Sequence, residues 1–396
     1  MPTSTTASFP ATVACFAVAA PGLEPMVAAE LREIGCDPHQ VEGGLEFAAP
    51  LDTLPALVRR LRCASRLLVR MAEGRVDDPA AVAALVARIP WDLLPALPSK
   101  VALRLSAHGA PPDRIRWLQA ELIRALLVRF GVERVSAKAP TGEADEVALA
   151  ARLQGRLCTV SVDAGGAPLH QRGWRLEAGP APLRETLAAA MLRAGGYSGR
   201  GVFWDPMCGS GTLAIEAALW HREPPAHLRT YAVDAWRLPF ARSVGPGLLR
   251  GSDDNAPEPG DGSQARIVAG DLDATVLELA KRNAARAGVG SAIDWQPFEI
   301  ATQQVGSGVP GFVVANPPYG HRLGGRNAAR RLCERLGAVL LRRCVGWRAA
   351  ILVPEPQLAR VLPLAHPETR VLDNGGLKVW LCTGEISTGL RVALRS

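Results

Sequence analysis

Asn316-Pro317-Pro318-Tyr319 closes a short run of apolar and small residues, Phe312 to Ala315, and sets three chemically distinct groups close together. The Asn316 side chain offers a carbonyl oxygen, Pro317 can offer only its backbone carbonyl, and Tyr319 offers an aromatic face. Together they could hold a flat, amino-bearing base. The tandem prolines bar both helix and further ladder pairing, so the strand must stop where this chemistry begins. Phe312 to Ala315 suits a parallel strand covered on both faces, and ligands of open α/β sheets gather beyond the carboxyl ends of such strands. A proline-terminated strand and turn with no reactive role is the structural alternative.

A second constellation lies upstream. Gly201 to Trp204 reads as a strand ending in Asp205-Pro206-Met207-Cys208-Gly209-Ser210-Gly211-Thr212, before a helix from Leu213 to Leu219. Glycines at 209 and 211 let backbone pass close under a ligand. The spacing is neither that of a phosphate loop, since no Gly-Lys-Ser/Thr follows, nor Gly-x-Gly-x-x-Gly. A loop headed by Asp205 and lacking a phosphate-binding lysine favours an uncharged or cationic ligand moiety over a triphosphate. Ile267 to Gly270 is the next strand, and Asp271 just past it could accept two hydrogen bonds from a ribose. Asp273 suits the N-cap of a helix from Ala274 to Ala287. Beyond a third strand, Ile293 to Gln296, Glu299 could accept a hydrogen bond from an adenine amino group; a solvated carboxylate is the alternative.

The elements that must position these groups alternate strand and helix from Gly201 onward, with a helix over about 328–345, a strand at Ala349 to Val353 and a closing antiparallel pair turned at Asp373-Asn374-Gly375-Gly376. That order predicts an α/β domain with a parallel sheet. Ahead of it, Val13–Ala19, a helix ended by Gly35, a strand near Gly44–Ala48, a helix over Leu54–Leu61 and a strand from Arg66 follow the ferredoxin-like pattern. A further small unit begins near Asp78, with a strand at Val101–Ser106, a long helix from about Asp113 to Phe130 and a hairpin around Gln154-Gly155. The expected boundaries are a ferredoxin-like domain over 1–75, a second small module over 76–165, a linker over 166–180 and the α/β domain over 181–396. Residues 245–264, rich in Gly, Pro, Asp and Ser, are expected to be a disordered loop.

The net charge of +7 over 396 residues suits a polyanionic partner, and its distribution says more than its size. From Arg322 to Arg348 eight arginines, at 322, 326, 330, 331, 335, 342, 343 and 348, face the single acid Glu334. Phosphate contact through Arg322, Arg326 and Arg330 competes with the reading of a solvated helix. In the linker, Arg172, Trp174 and Arg175 could stack on or clamp a nucleic-acid strand, or equally pin the chain's own domains. The eight cysteines show no metal-ligand or redox spacing and read as free thiols. No metal is expected, nor a membrane span, and the first residues lack the basic region of a signal peptide, so a cytoplasmic protein is expected.

Asp205-Pro206-Met207-Cys208-Gly209-Ser210-Gly211-Thr212, Gly270-Asp271-Leu272-Asp273 and Asn316-Pro317-Pro318-Tyr319, in that order, resemble class I S-adenosylmethionine-dependent methyltransferases, and more narrowly the family that methylates N2 of guanine in RNA. Leu169 to Arg175 and the helix from Ala181 to Ala188 resemble that family's approach to the fold, and residues 1–165 resemble its ferredoxin-like plus THUMP module, an RNA-binding appendage. The closest likeness is to the N-terminal half of the bacterial 23S rRNA guanine-N2 methyltransferase, which implies one activity here. The resemblance implies a Rossmann-like sheet C-terminal to an α+β module and S-adenosylmethionine as cofactor. It implies cofactor contacts at Asp205, Cys208, Gly209, Ser210, Gly211, Thr212, Asp271, Leu272, Glu299 and Asn316, and catalysis at Asn316 to Tyr319. The expected partner is rRNA, with tRNA the runner-up; adenine-N6 methylation of DNA and a non-catalytic RNA-binding or ribosome-assembly role are the further alternatives. Trp174 stands where a tyrosine is usual in that family, and Asp373-Asn374-Gly375 replaces a lysine-led turn. Asn-Pro-Pro-Tyr is shared with adenine-N6 enzymes, so the choice of guanine rests on the resemblance, and the sequence specifies neither the nucleotide position nor an oligomeric state.

Overall fold

The computed structural model describes residues 11–95, 98, 100–130, 135–136, 146–177, 183–222, 225–238, 266–305, 311–318 and 326–388. The expected loop over 245–264 lies outside them. The chain divides into two compact units, the first comprising Met1–Ala19, Val27–Leu169 and Thr230–Gly251, the second Ala20–Met26, His170–Arg229 and Ser252–Ser396.

The first unit is built on one eight-stranded sheet. Its elements in chain order are β1 (Thr12–Val18), α1 (Glu24–Glu33), β2 (His39–Val41), β3 (Gly44–Pro50), α2 (Leu54–Arg60), β4 (Arg66–Arg75), α3 (Pro79–Ala87), β5 (Lys100–His108), α4 (Pro112–Phe130), β6 (Val135–Ser136), β7 (Glu146–Gln154) and β8 (Leu157–Asp163). The strands lie in the order β2-β3-β1-β4-β8-β7-β5-β6, so pairing of β4 with β8 runs the ferredoxin-like and following modules into a single sheet. The short β2 completes a β-α-β-β-α-β unit. All three of its residues are exposed, so it has no alternation of apolar and polar side chains by which to be read. Part of the aromatic-rich stretch after residue 220 belongs to this unit: Val233 N–H donates to the Ala164 carbonyl at 3.0 Å, and Arg59 pairs with Asp234 at 2.6 Å.

The second unit holds α5 (Glu185–Gly195), β9 (Val202–Asp205), α6 (Thr212–Ala218), β10 (Arg266–Gly270), α7 (Ala274–Arg286), β11 (Ile293–Gln296), β12 (Phe312–Ala315), α8 (Arg326–Arg343), β13 (Arg348–Val353), β14 (Leu364–Asn374) and β15 (Leu377–Ile386). Its seven strands run β11-β10-β9-β12-β13-β15-β14. The first five are parallel; β15 pairs antiparallel with β13 and with β14. The parallel strands are short and apolar because both faces are covered: every residue of β12 is buried. Asp273 caps α7 as expected, its side chain accepting from Thr275 and Val276 N–H. Strand order reverses between β9 and β12, the switch point at which open sheets of this kind bind ligands.

The last helical residue of α5 sets how closely that helix lies on the sheet under the switch point. A Cβ on Gly195 would stand 2.5 Å from the Phe312 ring and 2.9 Å from Ala350 Cβ, and its carbonyl accepts from Arg348 Nε at 2.7 Å. Gly195→Ala is therefore expected to destabilise the second unit by about 1–3 kcal/mol through overpacking, against a helix-propensity gain of at most about 1 kcal/mol. Urea unfolding followed by tryptophan fluorescence measures this; a midpoint at or above that of the wild type would mean the ring gives way freely.

Candidate active site

The carboxyl ends of β11, β10, β9 and β12 stand in register, pairing Gly270 with Gln296, Ala269 with Asp205 and Val313 with Trp204. The sequence motifs therefore arrive at one edge of one sheet although 111 residues separate Asp205 from Asn316 (316 − 205). Asp205 ends β9 completely buried. Its Oδ1 accepts from Met207 N–H at 3.4 Å, while Oδ2 is buried with no hydrogen-bond partner among the described residues. Asn316, one residue past β12, likewise has its side-chain Oδ1 buried and unpartnered among the described residues. An amide or carboxyl oxygen buried without a donor is costly, so each is a place where a ligand N–H or O–H would be welcome. Pro317 is buried and Pro318 exposed. Tyr319 lies outside the described residues.

Between these ends the glycine turn is held from three sides. Cys208 N–H donates to the Gly270 carbonyl at 2.9 Å, Gly209 N–H to Asp271 Oδ2 at 3.0 Å, and Asn283 Nδ2 to the Ser210 carbonyl at 3.2 Å. The two glycines differ in purpose. Gly209 has φ +52° and a Cβ there would meet nothing within 4 Å, so that stretch of backbone faces open space. Gly211, with φ +83°, would drive a Cβ to 3.0 Å from Ala280 and 3.1 Å from Trp295, so close packing against α7 and β11 requires glycine. Ser210 and Thr212 are buried, their hydroxyls 3.5 Å apart. Burial, and then the charges of Asp205 and Asp271, push the Cys208 thiol well above its usual range, so it stands protonated and unreactive.

Asp271 Oδ1 accepts from Asp273 N–H at 3.0 Å, so both its oxygens serve the loops while each keeps a second lone pair. Two exposed apolar side chains stand past the neighbouring strand ends: Leu272, 76% exposed after β10, and Phe298, 51% exposed after β11. Phe298 was not singled out by the sequence reasoning; its signal was an aromatic residue two positions beyond a parallel strand. Glu299 is differently engaged from the adenine contact expected of it. Its Oε2 accepts from Ala301 N–H at 3.0 Å and its Oε1 lies 3.0 Å from Arg335, so the carboxylate braces its own loop against α8. A residue the sequence did not flag is Gln303, wholly buried, whose Oε1 accepts from Trp204 Nε1 at 2.8 Å. Its Nε2 donates to the Pro206 and Phe298 carbonyls, tying the ends of β9 and β11 together. Gly270 must be glycine beneath it, since a Cβ would stand 2.4 Å from the Gln303 amide carbon.

The linker residues expected to touch RNA are in the interior. Trp174 is fully buried and so has no face on which a base could stack. Arg172 is 7% exposed and lies 3.5 Å from Glu216. Arg175 pairs with Glu185 at 3.2 Å and donates to Thr212 Oγ1 at 3.1 Å, which makes it a support beneath the glycine turn. These contacts of Arg172 and Arg175 lie within the second unit and brace its own elements. In α8, Arg330 is exposed and bonded to Glu334 at 2.8 Å, Arg335 faces Glu299, and Arg343 Nη1 donates to the Gln303 carbonyl at 2.5 Å. The basic run is thus partly spent inside the domain, whereas Arg331 and Arg342 are exposed. Arg322 and the Arg326 side chain lie outside the described residues. Among the described residues no group of three His, Cys, Asp or Glu is placed to hold a metal ion, and no helix is long and apolar enough to cross a membrane.

The buried Asp205 carboxyl sets a pH dependence. Burial holds its pKa well above the ordinary 3.8, the negative charge of Asp271 adds to the rise, and the Met207 N–H opposes it. The folded protein keeps a proton that the unfolded chain sheds above about pH 4, so stability from this group is full below the unfolded pKa and is lost as pH rises through the folded one. Asp205→Asn, neutral and of equal size, is expected to be more stable than the wild type at pH 7 without ligand, and to lose less stability between pH 5 and pH 8. Urea midpoints across that range measure it, and a variant less stable at pH 7 would contradict the assignment.

A family model described as RMKL-like, methyltransferase domain (UPF0020) matches residues 172–381, and one described as the RlmL ferredoxin-like domain matches residues 14–68. The ribosomal RNA large subunit methyltransferase K/L of Syntrophotalea carbinolica is 31% identical over 384 residues, which cover 94% of this chain and 53% of the relative. The chain spans about half the length of the curated relatives it matches. Its fold is that of SMU.472, solved in complex with SAH, at a TM-score of 0.73 and 24% identity over 95% of this chain and 99% of that one. A predicted N6-adenine-specific DNA methylase from Listeria monocytogenes superposes with a TM-score of 0.71 at 27% identity, covering 94% of this chain and 96% of that one. The chain belongs to the UPF0020 family of RMKL-like methyltransferase domains.

Proposed function

We propose that the protein transfers a methyl group from S-adenosylmethionine to the exocyclic N2 amino group of a guanine in RNA, with 23S rRNA as the substrate. The observation that carries this reading is the pair of buried, unpartnered acceptors, Asp205 Oδ2 and Asn316 Oδ1, at adjacent strand ends of a methyltransferase domain. The name of the relative from Syntrophotalea carbinolica supports ribosomal RNA as the substrate. Residues 1–75 and 76–165 serve, in this reading, as ferredoxin-like and THUMP-like modules that hold RNA.

The residues fit the cofactor. Gly209 leaves open space for a ligand, Asp271 keeps lone pairs for ribose hydroxyls, and Leu272 and Phe298 offer apolar surface to a flat base. Asp205 gives up its proton when the cationic amino-acid end binds, the ligand's positive charge offsetting the cost of ionising the buried carboxyl, and offers it the free oxygen. When bound, S-adenosylmethionine supplies a methyl group already activated by a sulfonium. The protein's own task is then to position the acceptor. The guanine amino nitrogen is a poor nucleophile because its lone pair is delocalised into the ring. Donating its two N–H groups to Asn316 Oδ1 and the Pro317 carbonyl orients it and lets it pyramidalise. Tyr319 stacks on the base, which must be flipped or unpaired to reach the crevice.

Asn316→Ala is expected to lower methyl transfer by about 10²-fold or more while cofactor affinity stays close to that of the wild type, since the lost contact is to the amino group. Normal turnover on RNA by that variant would refute the role. Asp271→Ala is expected to weaken cofactor binding, by loss of ribose contact and of the anchor on Gly209 N–H; titration calorimetry with an unchanged dissociation constant would count against it. Incubation of the wild type with rRNA, tRNA and DNA separately, followed by nucleoside mass spectrometry, identifies the substrate. N2-methylguanosine in rRNA is expected. N6-methyladenine in DNA would move the chain to the activity named for the Listeria monocytogenes structure, and cofactor binding with no product would favour a non-catalytic RNA-binding role.

A further inference from the structure

The eight-stranded sheet of the first unit carries a cavity of about 570 Å³ that the methyl-transfer chemistry does not use. Ladder register shows how it is made. Ala102 of β5 pairs with Ala148 of β7, Arg104 with Ala150, Ala150 with Ser161 of β8, and Leu68 of β4 with Asp163. Side chains two apart on a strand share a face, so Arg66, Arg104 and Asp163 project to the side on which Ala102, Ala148 and Ala150 form the floor. Strand positions usually carry β-branched or longer side chains. Alanine at three neighbouring positions leaves a trough one side chain deep, bordered by two guanidinium groups.

The charges in that trough do not balance. Arg66 is 7% exposed; its Nη1 donates to Asp163 Oδ2 and, at 3.2 Å, to the Gly166 carbonyl. Its Nη2 is buried with no partner among the described residues. A buried guanidinium with an unused donor is costly, and Arg66 is one of the residues that line this cavity. Arg104 lines the same cavity, and its pKa is held below the usual arginine range by burial and then by the positive charge of Arg66, with Asp163 opposing. Among the described residues lining the cavity, two positive charges thus face one carboxylate, an excess of one.

We propose that this cavity is a phosphate site in which Arg66 Nη2 and the Arg104 guanidinium clamp one phosphodiester of an RNA backbone. A single excess positive charge matches the single negative charge of a phosphodiester better than the dianion of a phosphate monoester. Asp163 keeps Arg66 in place and prevents a larger excess. The forked geometry of arginine suits two oxygens of one phosphate. Such a contact fixes register without reading sequence, so this site anchors RNA while the base is chosen elsewhere. RNA as the source of the phosphate rests on the function proposed above; the affinity of the cavity for a phosphodiester does not.

Arg104 is exposed, and its replacement leaves the buried Arg66–Asp163 pair intact. Binding of a fluorescein-labelled RNA stem-loop is measured by anisotropy at several salt concentrations for the wild type, Arg104→Ala, Arg104→Lys and Arg116→Ala, an exposed arginine outside the cavity. Arg104→Ala is expected to weaken binding about tenfold and to lower the salt slope by about 1, with partial recovery in Arg104→Lys and no change in Arg116→Ala. S-adenosylhomocysteine binding by calorimetry should be equal in all four, which separates this site from the methyl-transfer crevice. Equal RNA affinity and salt slope in Arg104→Ala and the wild type overturns the proposal. In a second measurement, ³¹P line broadening of dimethyl phosphate should be present with the wild type and lost with Arg104→Ala, while equal broadening refutes the cavity as a phosphodiester site. Absence of RNA binding by the wild type overturns RNA as the source of the phosphate, and broadening of inorganic phosphate alone would assign the site to a free anion.

Discussion

The candidate site depends on the pairing of two parallel strands, β9 and β12, which are neighbours in the sheet and far apart in the chain. Phe203 lies against Phe312 and Trp204 against Val313, and beyond that point the chain leaves β9 for α6 and β12 for α8. Right-handed crossovers in opposite directions along the sheet carry those helices to opposite faces, so the two strand ends open a crevice no other pair in the sheet can provide. Asp205 and Asn316 sit at its two lips. Neither could be moved by one residue without reversing the face to which it points.

The crevice keeps its shape because polar groups that might have collapsed into it are engaged elsewhere. Gln303 joins the ends of β9 and β11 through Trp204, Pro206 and Phe298, and Asp271 holds both the glycine turn and its own strand end. Arg175 props Thr212 from below and Asn283 holds Ser210 from α7. Beside that frame, Asp205 Oδ2 and Asn316 Oδ1 are buried acceptors without donors among the described residues. A protein tolerates such groups where a ligand completes them, and the cost is carried as reduced stability of the empty site. The same physics marks Arg66 in the first unit, where the group without a partner among the described residues is a donor, suited to an anion.

Much of this was legible in the sequence because it rests on local signals. Tandem prolines end a strand, paired glycines in a polar turn mark close backbone approach, and Asp273 announces a helix start. Residues whose meaning depends on partners distant in sequence were read less well. Gln303 sits in a polar loop and gives no sign that its amide spans three segments. Arg172, Trp174 and Arg175 have the composition of a nucleic-acid surface, yet Glu216 and Glu185 draw the arginines inward and burial removes the indole from reach. Buried ion pairs of this kind cannot be told from surface charge by composition. The three-residue strand β2 was invisible for the opposite reason, since none of its side chains enters a core.

A crystal structure of the protein with S-adenosylhomocysteine and a guanosine-containing oligonucleotide bears most directly on the central claim. The account predicts the cofactor product over the turn from Asp205 to Thr212 with a donor within hydrogen-bond distance of Asp205 Oδ2, and a guanine amino group at Asn316 Oδ1. Ligand bound away from the β9–β12 switch point, or both oxygens still without a donor in the complex, would contradict it.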